Sequence, residues 1–530
     1  MLDYVCSIVR CVSFMRRFFS SALTALVAGA CLRFFFVLKY PASSGDTILY
    51  EQIATNWLKY HVYAMNVGGA ITPVDIRVPG YPAFLALIYW LSGKTGPHAR
   101  FWVMTAQVVV DLLTCVVAAC LATTLLALAT AKVQRWRVFL VALWLTALCP
   151  FTANYVAVPL TETLATFFTT LTILFLCLLL LHSPGVMFWV KDRTVYFRQE
   201  WFASLAGISA GFGTLIRPET PLLLMTACVV LAWHFLRGGS WSKLLSKQWP
   251  KQWPKQWPKQ WREMIRIFVF MAAGCLLPLM PWAIRNALTL HEVQLLAPKN
   301  SNLPGELVPF GFMAWEKTWL FRLRDCYQVA WKLNDQPINL EDIPARAFDT
   351  PEEKERVAAL LEPYNDEVTL TPEEDAGFAQ LARERTARHP LRTYLWLPAA
   401  RAFMLWFSPR IELLPLSGQV FPLAEAWEND PVDQSVTAGF VLLNTLYVLF
   451  GAWGAVRLWR RSPARVAVAI IVGYMVVRTA FLATLETPEP RYMLVCFPAL
   501  LALAAQGFAG KHARKEITST AAENRLQPAS

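Results

Sequence analysis

The sequence predicts an all-α polytopic membrane protein, a bundle of about ten transmembrane helices with an α-rich soluble domain on its outer face. Three observations carry this. Apolar runs of about 20 residues, the length that crosses a bilayer core, recur along most of the chain. Of the 530 residues, 56% are hydrophobic and only 16% charged. The Lys and Arg residues collect in short loops between the apolar runs. Those runs are too long and continuous for barrel strands, and a helix satisfies its own backbone in lipid.

Arg10, Arg16 and Arg17 precede the first apolar run, Ala22–Phe36, and give it the form of an uncleaved signal anchor; Met15 is an alternative start to Met1. A loop over 39–100 follows. Within it Gly80–Leu91 is too short to cross upright and reads as interfacial. Spans at 101–130, 136–153, 161–182, 201–217, 219–236 and 264–288 complete an N-terminal membrane region, 1–290. The polar segment 291–433 carries charged helical stretches at Pro351–Leu361 and Pro372–Arg388 and scattered Trp, Phe and Leu, so it reads as a folded domain. Its end, Tyr394–Phe407, reads as an interfacial helix. Three C-terminal spans over 434–510, at 434–456, 466–484 and 492–510, lead to a disordered tail, 511–530.

Ten spans put the basic clusters around Lys132, Lys191, 237–266, Arg457 and Lys511 on one side, with both termini, and the acid-rich stretch from Glu352 to Asp375 on the other. By the positive-inside rule the basic side is cytoplasmic. The net charge of +12 is therefore a topology signal with some attraction to anionic lipid, and not a nucleic-acid footprint. The eleven Cys include no CxxC pair and lie mostly in apolar runs, so neither a disulfide framework nor a zinc site is indicated. Three tandem Lys-Gln-Trp-Pro units fill Lys247–Pro258. Proline at every fourth residue excludes a helix there; Trp with Lys suits an anionic membrane surface, and a duplicated linker without its own function explains the repeat equally well.

Charged residues at membrane depth are costly and ask for a reason. Asp46 lies just beyond the first span, and Arg77-Val78-Pro79-Gly80-Tyr81-Pro82 closes the same loop. Glu162, Arg217, Arg285, and Glu486, Glu489 and Arg491 all fall at span ends on that side. An acid at the bilayer surface suits chemistry on a lipid-linked substrate. A glycosyl phosphate needs cations on its leaving phosphate, which Arg supplies through planar paired donors, and an acceptor hydroxyl needs a general base, which a carboxylate can be. Simpler roles compete: Asp46 as a helix cap, Glu162 as a dipole partner, Arg217 and Arg285 as snorkelling span-end residues.

Taken in order, the first-loop Asp46, the Arg77–Pro82 turn, Thr161–Leu164, Arg217-Pro218, Pro281–Asn286 and Glu489–Tyr492 resemble the GT-C superfamily of integral-membrane glycosyltransferases, and within it the branch holding bacterial relatives of protein O-mannosyltransferases and the lipid A aminoarabinose transferase. The resemblance covers most of 20–510. It implies a polyprenyl-phosphate-linked sugar donor, a lipid, glycan or protein acceptor, and transfer on the periplasmic face of a bacterial inner membrane; a single displacement, with base and leaving group on opposite faces of the sugar, gives inversion. It also implies Asp46 as base, Glu162 as second active-site acid, Arg77, Arg217, Arg285 and Arg491 as donor-phosphate ligands, and Tyr50, Tyr81, Glu489 and Tyr492 as substrate-proximal. No cofactor is required by it; some members use a divalent cation, which Asp46 and Glu162 could share. Asp46 is followed by Thr47 where the eukaryotic-type mannosyltransferases have Glu, and the Trp-Trp-Asp motif of oligosaccharyltransferases is absent. A transporter or flippase of lipid-linked sugars is the rival reading, with an envelope scaffold behind it. The clustering of charge on one side, the lack of a repeated half and the large outer segment favour the enzyme.

Overall fold

The structure, a computed structural model, describes residues 2–129, 135–181, 188–190, 193–195, 199–238, 259–298, 306–416, 427–428, 430–461, 464–487 and 489–508. The Lys-Gln-Trp-Pro units and the tail 511–530 lie outside these residues. The described residues are largely helical. Its membrane region runs through α1 (Leu2–Lys39), α2 (Gly45–Tyr60), a hairpin of β1 (Ala64–Val67) with β2 (Ala70–Pro73), α3 (Gly80–Ser92), α4 (Arg100–Ala129), α5 (Arg135–Ala147), α6 (Pro150–Tyr155) and α7 (Glu162–Leu181). After a second short hairpin come α8 (Gln199–Thr214), α9 (Pro221–Gly238) and α10 (Lys259–Thr289).

Among the described residues seven helices are long and apolar enough to cross a membrane: Arg16–Lys39, Gly96–Ala129, Glu162–Leu181, Trp261–Thr289, Pro431–Trp459, Arg465–Ala483 and Pro490–Phe508. The other three expected spans hold shorter helices, each for a local reason. The span at 136–153 breaks at Cys149, whose extended backbone precedes Pro150, so α5 and α6 are two pieces. The pair at 201–217 and 219–236 is cut by the turn around Pro218, leaving α8 at 16 residues and Pro221–Phe235 as a short apolar helix.

α4 packs against α5 and α7, α7 against α8, and α8 against α10. The α8–α10 contact is backbone on backbone: a Cβ on Gly207 would stand 2.1 Å from the Met271 carbonyl oxygen, and one on Gly211 2.4 Å from that of Cys275. Small residues four apart, with no side chain between the helices, are how spans approach closely in lipid. The last helix, α18 (Phe497–Ala504), is apolar on every face and buried on every face, enclosed by α4, α5 and α16 (Pro431–Trp459). A buried ion pair, Arg33–Asp111, ties α1 to α4. Arg33 also donates to the carbonyls of Gly29 and Ala147, at 2.9 and 2.7 Å, which satisfies the last turn of α5.

The polar segment holds its own core. Phe312, Trp315 and Trp319 from α11 (Phe310–Lys317) and its exit meet Val357 and Leu361 from α13 (Pro351–Glu367) and Phe378 and Leu381 from α14 (Pro372–Arg388); α12 (Leu323–Gln328) lies at its edge. Thr350 and Thr371 cap α13 and α14, accepting from the amides of Glu353 and Glu374, as the Pro that follows each Thr suggests. α15 (Leu397–Phe407) then bolts this core to α17 (Arg465–Ala483): the buried Arg401 guanidinium donates to the carbonyls of Lys317, Leu320 and Ala483.

The interhelical glycines give a direct test. Gly211→Ala pushes a methyl group into backbone, an overpacking cost of at least about 1–3 kcal/mol. The melting midpoint in detergent is expected to fall by about 1–3 °C, since unfolding entropy scales with chain length. Gly439→Ala, which meets nothing within 4 Å, leaves it unchanged. Equal midpoints for the two variants would remove the close α8–α10 contact.

Candidate active site

The loop after α1 is built so that Asp46 is not consumed by its own helix. Ser44 caps α2: its hydroxyl accepts from the Thr47 amide while the Thr47 hydroxyl takes the Ser44 amide, a reciprocal capping box. The capping reading for Asp46 is therefore corrected; one turn position in, its carboxylate faces away and accepts from Arg77 Nη2 at 2.9 Å. The Thr47 hydroxyl also donates to the carbonyl of Pro159, at 3.1 Å, which sets the start of α2 beside the turn that leads into α7. That turn is fixed from below by Gln107 on α4, whose Nε2 donates to the carbonyls of Val156 and Val158 at 3.0 and 2.8 Å and whose Oε1 accepts from Tyr81.

Glu162 opens α7 and is 2% exposed. A helix N-terminus favours its charge, but its main partner is Arg217, whose Nη2 donates at 2.6 Å. Arg217 also donates to the Thr161 hydroxyl and to Glu219, and lies over the Tyr492 ring at 4.7 Å, so it does not snorkel. The Arg77–Gly80 turn reaches this group because Gly80 has no side chain: its amide donates to the Leu215 carbonyl at 2.6 Å, where a Cβ would stand 2.5 Å from the same oxygen.

Arg491 joins the pieces. It stands 3.6 Å from Asp46, 3.5 Å from Glu162 and 2.5 Å from Glu489, and the Tyr492 hydroxyl donates to Glu489 as well. Deeper, Arg478 of α17 donates to Glu219 at 3.1 Å and to the Tyr492 carbonyl at 3.0 Å. Asp46, Glu162, Glu219 and Glu489 are thus interleaved with Arg77, Arg217, Arg478 and Arg491 at one end of the bundle. One lone pair set stays open: Glu162 Oε2 is buried and has no hydrogen-bond partner among the described residues.

Burial alone would raise the Asp46 carboxyl, but the Arg77 and Arg491 guanidiniums outweigh it and hold it below the usual carboxylate range. Glu219 is held low in the same way, burial being overcome by Arg217 and Arg478. Glu489 goes the other way: burial outweighs Arg491 and lifts it above the usual value. The Tyr50 hydroxyl is pushed up to about 12 by burial and then by Asp46.

Arg285 is placed elsewhere. It donates to the carbonyls of Tyr63 and Val74 and stacks on Tyr63 and Trp282, which pins the β1–β2 hairpin to α10. Tyr50 and Tyr81 pack edge-to-face, 5.1 Å apart, and both are buried under the loop; Glu489 and Tyr492 stand in the charged cluster. Asp46 and Glu162 each accept from a guanidinium and Arg491 stands between them, so a cation shared by the two carboxylates would have to displace Arg491. Among the described residues no group of three or more His, Cys, Asp or Glu is set to hold a metal.

Glu219, next to Arg217-Pro218, joins the site, and so do Arg478 and Gln107 from outside the motifs. Arg478 stands alone in the apolar run 466–484, and Gln107 is a polar residue in the run 101–130, which is the signal that could have found both.

No family model matches the sequence, and no curated protein matches it by sequence. Among solved structures the chain is similar to the archaeal oligosaccharyltransferase AglB from Archaeoglobus fulgidus in complex with an inhibitory peptide and a dolichol-phosphate: 14% identity, 97% of this chain and 52% of that one covered, TM-score 0.46. Its apo form gives 14%, 94%, 52% and 0.45. ArnT from Cupriavidus metallidurans bound to undecaprenyl phosphate gives 12% identity, 94% and 78% coverage and a TM-score of 0.35. The chain spans about half the length of the archaeal protein.

The depressed Asp46 pKa has a measurable sign. A carboxyl lower in the folded chain than its unfolded value of about 3.9 adds stability above that pH, and loses it as pH falls through the folded value. The difference in melting midpoint between wild type and Asp46→Asn is expected to stay constant from pH 8 to about 5 and to shrink below about 4. A difference already shrinking at pH 6 would show that the Arg77 and Arg491 pairing is not made.

Proposed function

We propose that this protein transfers a sugar from a polyprenyl-phosphate-linked donor to a hydroxyl acceptor, on the outer face of a bacterial inner membrane. The observation that carries the reading is the convergence of Asp46 and Glu162, from separate parts of the chain, on the guanidiniums of Arg77, Arg217 and Arg491. The basic residues Arg135, Arg137, Arg457 and Arg460 lie at the opposite ends of α5 and α16 from this cluster, which supports the outer assignment and cytoplasmic termini.

In the reaction the bond between the sugar C1 and the donor phosphate oxygen breaks, and a bond from the acceptor oxygen to C1 forms on the opposite face. The acceptor proton passes to a carboxylate; the phosphate leaves with the bonding pair. Asp46 serves as the base. Held low by two guanidiniums it is a weak one in the resting site. A bound donor phosphate competes for Arg77 and Arg491 through bidentate contacts, which would free the Asp46 carboxylate and raise its basicity when the donor is in place. Arg217, stacked on Tyr492, holds its share of the phosphate charge while Glu162 keeps it aligned.

Two outcomes test this. With purified protein and a panel of undecaprenyl-phosphate sugars, Asp46→Asn is expected to lower turnover at least ~100-fold with donor binding retained, the scale of a lost general base. Turnover near wild type in that variant would end the assignment of Asp46. Chelation with EDTA is expected to leave the rate unchanged within about twofold, because the site's cations are guanidiniums. A loss reversed by added Mg²⁺ or Mn²⁺ would put a metal into the mechanism.

A further inference from the structure

Most exposed aromatic residues of this chain lie on helices that face lipid, or on the stretch Tyr394–Phe407, where Tyr394, Trp396 and Phe403 are exposed together. Tyr327 and Trp331 are different. They belong to the polar segment, on α12 and the single 3-10 turn after it. The opposite side of this element is fully committed, with Cys326 and Val329 completely buried in the second core. Tyr327, 51% exposed, and Trp331, 38% exposed, turn outward and pack on each other, centroids 4.4 Å apart and planes at 80°. Two rings at right angles make an open corner.

The corner stands beside the charged cluster. The Tyr327 hydroxyl is within electrostatic reach of Glu412, Glu489 and Arg491. Glu412, on the segment after α15, accepts from the hydroxyl of Tyr155 on α6 at 2.8 Å and is itself part-exposed. Tyr155 in turn lies within reach of Arg491 and Glu162. Charge separates this corner from the lipid-facing aromatics: Lys332, adjacent in sequence to Trp331, pairs with Asp342 at 2.9 Å, and Glu412 acts electrostatically on the Tyr327 hydroxyl.

We propose that Tyr327 and Trp331 form a binding platform for a neutral sugar ring, with Glu412 accepting from its hydroxyls. The C–H face of a hexose is weakly positive and meets the negative face of an aromatic ring, while its hydroxyl edge needs acceptors; a ring corner next to a carboxylate offers both. A lipid tail would leave Glu412 facing hydrocarbon, and a cation would meet the Arg491 guanidinium beside the same acids. On the transferase reading this sugar is part of the acceptor, delivered within a few side chains of Asp46. Only the word acceptor rests on that reading; the binding does not.

The test is saturation-transfer NMR on the full-length protein in lipid nanodiscs, with chitotriose, mannotriose and maltotriose as probes. Transfer to the ring C–H protons of at least one probe is expected. It should fall at least fivefold in Tyr327→Ala/Trp331→Ala with an unchanged melting midpoint, and persist in Tyr394→Ala/Trp396→Ala and in Asp46→Asn. No transfer from any probe, or undiminished transfer in the Tyr327/Trp331 variant, overturns the platform. Saccharide binding without turnover of any donor would overturn the transferase reading and leave the platform standing.

Discussion

Arg491 is the joint on which this end of the molecule depends. One guanidinium faces carboxylates from the first loop, from the start of α7 and from its own turn. Bringing Asp46 beside Glu162 without a cation between them would set two negative charges together at a poorly hydrated site, where Coulomb repulsion is several times stronger than in water. With Arg491 between them, and Arg77 and Arg217 behind, repulsion becomes attraction. Removing one partner from such a buried set leaves an uncompensated charge, a cost on the order of 3–5 kcal/mol. The cluster thereby holds together α2, α7, the turn after α8 and the turn before α18.

Neutral polar contacts do the finer placement. Thr47 on Pro159, Gln107 on Val156 and Val158, and the Gly80 amide on Leu215 each bind a side chain or amide to a carbonyl in an irregular turn. Irregular backbone at membrane depth exists only where its polar groups are satisfied by protein or by a polar cavity. The turns that carry Glu162 and Arg217 are such backbone, and the contacts that satisfy them also aim the charged side chains. Fold and candidate site are therefore one set of constraints: loosening a turn moves a carboxylate.

The second core has a related logic. Its Arg385 is completely buried, yet it donates to Glu353, the Thr318 hydroxyl and the Arg346 carbonyl, so a charge stands where an apolar residue would otherwise pack. Arg401 does the same at the join to α17, with three carbonyls and no acid. Directional donors fix the rotation of one unit on another, which apolar contact alone does not. A segment that must present α12 beside Glu489 and Arg491 gains from such a fixed join.

The sequence by itself determined the helical membrane architecture, since hydropathy over about 20 residues is a local property that any fold must respect. It also determined the charged helical stretches Pro351–Leu361, which the structure extends to Glu367, and Pro372–Arg388, and the short list of charged residues from which the cluster is drawn. It did not determine which of those charges meet. Arg217 and Arg285 read alike as span-end arginines, yet one enters the acid cluster and the other holds a hairpin through carbonyls. Asp46 read equally well as a cap until Ser44 took that role. Arg33 and Asp111 are 78 residues apart and nothing local pairs them. Three-dimensional proximity decided these cases, because an ion pair is a property of two distant chain segments and one dielectric, and no window of sequence contains both.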